Sequence, residues 1–74
     1  MKAKSNYIGV CPVCDEAGTL KYDKAVFDDY GLYFPWICKN CNSTGNEEYA
    51  MQFCGHSEIY NDEGEEVEDY GENN

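Results

Sequence analysis

Residues 11–20, CPVCDEAGTL, and residues 36–45, WICKNCNSTG, each carry two cysteines separated by two residues, and twenty-three residues lie between the pairs. The spacing has a direct physical consequence. A tight turn lets both thiolates of a pair face one point while neighbouring backbone N–H groups face the sulfurs. Two such turns, brought together by a hairpin, complete a tetrahedron of four thiolates, the coordination of a closed structural Zn2+ site. The flanking residues suit this geometry. Pro12 pre-sets φ in the first turn. Asp15 and Asn42 follow the second cysteine of each pair, at a position that commonly needs left-handed backbone, which aspartate and asparagine tolerate better than other non-glycine residues. Val10 and Ile37 precede the pairs as apolar strand residues would. The candidate metal ligands are therefore Cys11, Cys14, Cys38 and Cys41, holding one Zn2+.

Working outward, the segments around the pairs alternate with period two, the pattern of antiparallel strands. Ser5–Val10 is a short strand candidate leading into the first pair. In Gly18–Asp23, Leu20 and Tyr22 share one face, and Thr19 and Lys21 the other. Leu32, Phe34 and Trp36 are in phase with Cys38. Pro35 lies on the opposite face and cannot donate to a ladder, which places this strand at a sheet edge. Tyr49, Met51 and Phe53 form a third in-phase set, and Asn42–Asn46 (NSTGN) is a turn between strands. Val26–Gly31 (VFDDYG) is a loop or part of a longer hairpin. The expected fold is a small metal-bound all-β domain spanning residues 1–60. Residues 61–74 read as a solvated, disordered acidic tail, dispensable for folding; the alternative is a hairpin that pairs Ile59 with Val67 around Asp62–Gly64.

Size and composition explain why a staple is needed. A chain of 74 residues is one domain that buries only roughly 60% of its unfolded surface, so its apolar core needs a metal or disulfides beside it. Five cysteines are present, an odd number that fits a disulfide framework poorly. The amino terminus has no apolar run of signal-peptide length, and no run of transmembrane length occurs. The default location is the cytoplasm, where thiols stay reduced. The formal charge is −10. Residues 1–60 hold five lysines against eight acids, and residues 61–74 hold seven acids and no base. Such a chain is repelled by phosphate backbones and anionic membrane surfaces.

CPVC followed by AGTLKYD, together with WICKNC, resembles the zinc ribbons over residues 7–42. The resemblance implies two zinc knuckles on β-hairpins with a three-stranded sheet. Neither knuckle ends in the glycine often seen in that family. A weaker resemblance is to the rubredoxins, small acidic proteins that hold one iron ion with two such pairs and carry an aromatic residue before the second, as FPWIC does here. They differ from this chain at Asp15–Glu16 and in the composition of the second pair. Ribbons serve as structural, nucleic-acid-binding and protein-binding modules, so the resemblance leaves the task open.

Cys54 and His56, in FCGHSE, supply a competing ligand set of Cys38, Cys41, Cys54 and His56. It ranks below the two-pair set because paired knuckles are the better-attested arrangement. Otherwise Gly55 makes a hairpin turn, Cys54 is a small buried residue and His56 an exposed one. HSE also matches the H-x-E element of zinc deaminases, but the cysteine order is reversed and the chain is too short for a substrate pocket. A closed four-cysteine site leaves no position for water or substrate, so the sequence reads as non-enzymatic. Its acidic surface and its seven tyrosines, three phenylalanines and one tryptophan suit binding to a protein with a basic surface, such as a component of a nucleic-acid machinery. Direct nucleic-acid binding through the ribbon and iron-based electron transfer are the alternatives.

Overall fold

The computed structural model describes residues 2–29 and 31–68. Five strands form one antiparallel sheet: β1 (Leu20–Tyr22), β2 (Val26–Asp28), β3 (Gly31–Cys38), β4 (Thr44–Tyr49) and β5 (Phe53–Tyr60). β1 and β2 both pair with one side of β3, and β4 and β5 follow on its other side. No helix occurs among the described residues.

The alternation in β3 works as the sequence implies. Leu32, Phe34, Trp36 and Cys38 share one face, and register aligns Leu20 with Cys38 and Tyr22 with Trp36. Trp36 is 2% exposed and lies across Gly45, where an added Cβ would stand 2.5 Å from its ring. Ala3, Val13, Ile59 and Val67 complete the core together with Cys11 and Cys38, so the sulfur cluster is itself part of the apolar interior. The amino-terminal segment closes over this face through Lys4 N–H to the Pro12 carbonyl (2.7 Å) and Ala3 N–H to the Glu68 carbonyl (2.8 Å).

Several expectations are corrected. Ser5–Val10 is no strand. Only Val10 makes a bridge, to Ala17, because the chain turns at Gly9 with φ of 76°. β3 is an interior strand despite Pro35. The Pro35 carbonyl accepts from Asp23 N–H at 2.8 Å, so the missing N–H faces the gap between β1 and β2, where the ladder is already interrupted. The Tyr49–Phe53 run is two strands and a turn. Tyr49 pairs with Phe53, Ala50 N–H bonds the Gln52 carbonyl, and Met51 stands fully exposed at the tip. Asn42–Asn46 is a turn only at its start, since β4 begins at Thr44. Of the two readings of Val26–Gly31 the hairpin holds, since Val26–Asp28 pairs with Gly31–Tyr33.

Residues 61–68 do not form a solvated extension. Asn61 organises a tight loop, its Oδ1 accepting from Glu63 and Glu65 N–H at 2.9 Å each. Val67 then returns beside β5, bonding the Ile59 carbonyl at 2.8 Å, and is 2% exposed. Two apolar residues eight apart suffice because the intervening acids all stay in solvent. The rest of the expected tail, residues 69–74, lies outside the described residues.

Candidate metal centre

Both cysteine pairs sit on turns with the same backbone bonding. In the first, Cys11 N–H bonds the Glu16 carbonyl (3.0 Å) and Asp15 N–H the Cys11 carbonyl (2.8 Å); in the second, Cys38 N–H bonds Ser43 (2.8 Å) and Asn42 N–H bonds Cys38 (2.9 Å). Asp15 and Asn42 have φ of 64° and 63°, the left-handed conformation the sequence called for. Thr19 lies between the turns, its carbonyl accepting from Lys39 N–H at 2.8 Å.

The sulfurs of Cys11, Cys14, Cys38 and Cys41 all lie within 4.8 Å of one another. The Cys11–Cys41 and Cys14–Cys38 separations are 3.7 Å each. A tetrahedron of ~2.3 Å metal–sulfur bonds has edges of ~3.8 Å, which these two separations match, so the four thiols are placed to hold a metal ion. Cys11 and Cys38 are wholly buried, and Cys14 and Cys41 partly so.

The surroundings favour thiolate. Thr19 Oγ1 is 3.2 Å from Cys38 Sγ, Ser43 Oγ 3.0 Å from Cys41 Sγ, and Asn40 Nδ2 donates to Cys14 Sγ at 3.4 Å. Backbone N–H groups of Val13 and Cys14 face Cys11, and those of Asn40 and Cys41 face Cys38. Burial alone opposes ionisation of Cys38, yet the Thr19, Cys41, Asn40 and Cys11 hydrogen bonds outweigh it and hold this thiol down at about 6. Burial prevails at Cys11 and Cys41, whose thiols are pushed up. A first negative charge therefore settles on Cys38, and a cation is what allows Cys11 and Cys41 to ionise beside it. Thr19, Asn40 and Ser43 escaped the sequence reading; their only signal is a small polar residue next to a ligand or its strand.

Cys54 and His56 do not join this cluster. Among the described residues the four cysteines are the one group of such side chains close enough to share an ion. The expected burials are reversed: Cys54 is exposed and His56 is 6% exposed. Gly55 does not turn the chain but sits within β5, and the strand's alternation carries His56 to the core face opposite Glu47. There Trp36 Nε1–H donates to His56 Nδ1 at 3.1 Å, leaving the ring proton on Nε2, 2.9 Å from the Tyr7 carbonyl. Burial pushes the imidazole below its usual value, with the Tyr7 carbonyl and Glu47 acting the other way.

Glu47 is the second unforeseen buried group, at 2% exposure. Tyr22 and Tyr49 hydroxyls donate to its carboxylate at 2.9 and 2.7 Å, and Gly9 N–H at 2.9 Å. Burial and this carboxylate raise both phenols, Tyr49 to about 12. The cluster ties the amino-terminal segment to β1, β4 and β5. Both carboxylate oxygens are satisfied, so the cluster fixes the relative placement of these segments.

No protein-family model matches the chain, and searches of curated proteins and of solved structures return no match. No helix among the described residues is long and apolar enough to cross a membrane.

Proposed function

We propose that the chain is a non-enzymatic zinc-binding module, in which one Zn2+ holds the fold and the surface binds a partner protein with a basic face. The observation that carries the reading is the closure of the four sulfurs, within 4.8 Å of one another and embedded in the apolar core. A closed four-thiolate site offers a metal no free coordination position. It supplies stability instead, an apparent ~10–16 kcal/mol for structural zinc at neutral pH. The charge of −10 supports a basic partner over phosphate backbones. A component of a nucleic-acid machinery has such a surface.

Metal analysis of protein expressed with both zinc and iron supplied tests the first half. One zinc per colourless chain is the expected result, with tertiary NMR dispersion lost on complete chelation. A red protein that bleaches on reduction supports the rubredoxin-like alternative. The second half predicts that immobilised protein retains a specific basic protein at moderate salt and that the isolated pair rebinds. Failure of that, together with salt-sensitive binding of single-stranded oligonucleotides, supports the nucleic-acid alternative.

A further inference from the structure

Among the described residues no segment covers the sheet face opposite the core, where Ile37 and Tyr60 stay exposed. Register sets Lys21, Ile37, Thr44 and Tyr60 in one row across β1, β3, β4 and β5. Pro35 and Asn46 stand in the next row, with Asp23 bonded beside Pro35. These residues line a groove of about 670 Å³, within the range of small-ligand and side-chain sites. Its floor is apolar and open to solvent: Ile37 is 53% exposed and Tyr60 40%.

One rim of the groove is built by an irregularity in β5. Ser57 faces Asn46 and Tyr60 faces Thr44, so Glu58 and Ile59 stand together opposite Gly45. This bulge sends Ile59 into the core and leaves Glu58 on the groove with φ of 49°. Glycine is the usual residue in a left-handed bulge position, and a glutamate there holds backbone strain. Its carboxylate makes no ion pair or hydrogen bond among the described residues. Packing Ile59 explains the bulge but not the glutamate, since glycine would serve that purpose with less strain. Along the chain Glu58 is followed by the exposed acids Asp62, Glu63, Glu65 and Glu66. Lys21, on the far bank, is the one cation among the lining residues.

We propose that this groove binds an extended basic and apolar segment of a partner protein. An arginine or lysine of the segment pairs with Glu58, and a neighbouring aliphatic side chain covers Ile37 and Pro35. The inference rests on the protein-binding reading above and names the surface and the chemistry that the partner must present. The acidic bank draws in the cation, and the apolar floor sets register.

The test is an NMR titration of the full, zinc-loaded chain with a short peptide alternating leucine and arginine. Leucine–glutamine and glycine–arginine peptides serve as controls. The expected result is saturable perturbation of Lys21, Ile37, Thr44, Asn46 and Tyr60 amides. Each control should bind at least about tenfold more weakly, the loss of one charge-assisted contact or one buried side chain. Glu58→Gln should weaken binding by a similar factor. Glu58→Gly should do the same while raising the thermal midpoint, which separates a lost contact from a damaged fold. Perturbations confined to residues 61–66 and unchanged in Glu58→Gln overturn the groove while leaving a basic partner in place. No saturable peptide binding overturns the groove and its occupant, even if a basic protein is retained in the pull-down. Perturbation of the groove by a single-stranded oligonucleotide, and not by the peptide, replaces the occupant with nucleic acid.

Discussion

Serine in place of Cys11, Cys14, Cys38 or Cys41 should in each case release the metal and unfold the chain, because a closed site tolerates no missing thiolate. Cys54→Ser should keep one metal per chain and the wild-type thermal midpoint, since Cys54 is exposed and outside the cluster. Metal content and melting of the five variants check this contrast. Gly45→Ala is a second decisive substitution. The new methyl would stand 2.5 Å from Trp36 Cζ2, so either the indole or β4 must shift, at about 2–3 kcal/mol by analogy with overpacked cores. Denaturant unfolding of the metal-loaded protein measures it. Trp36 fluorescence reports whether the ring has moved.

At the level of the strands, β4 and β5 meet the amino-terminal segment through Glu47 and His56. The groups facing the imidazole include Trp36, Phe53, the Tyr7 and Val10 backbone and, at 3.9 Å, the Glu47 carboxylate, with Tyr22 and Tyr49 hydroxyls on that carboxylate. The imidazole is held neutral in the fold, below the value of 6.5 it has when unfolded. Above that value neither state is protonated, and the contribution is intact. As pH falls below it, the unfolded chain takes up a proton that the fold resists, and stability falls towards the depressed folded value. Unfolding free energy should therefore decline as pH falls below 6.5, and the slope should be shallower in His56→Gln. Proton competition for the thiolates acts in both proteins and cancels in the comparison.

For the whole molecule, the course of the chain after β5 is what departs most from a ribbon with a free tail. Truncation after Tyr60 removes Val67 from the core and the Ile59 and Ala3 backbone partners. The deletion uncovers Ile59 and leaves its carbonyl and the Ala3 N–H without their partners, each a destabilising change. Calorimetry of the metal-loaded truncated chain should show a lowered midpoint. An unchanged midpoint would mean that the Val67 contact contributes nothing.

The local features of the candidate metal site were legible in the sequence because they depend on neighbours in the chain. The two-residue cysteine spacing, the left-handed positions at Asp15 and Asn42, and the alternation that sets Trp36 in phase with Cys38 are all short-range. They led to the four sulfurs and to an all-β fold. Where the reading failed, the deciding partner was distant in sequence. Pro35 is accommodated inside the sheet because β1 and β2 leave a gap beside it. His56 is buried because β5 carries it opposite Glu47, 9 residues earlier, and under a segment that begins 50 residues earlier at Asn6. Val67 is ordered because Ile59 and the amino terminus meet there. Composition records that these residues are apolar or charged. Only the tertiary structure decides which backbone groups remain unpaired, and therefore which side of a strand, or which end of the chain, the remaining residues must cover.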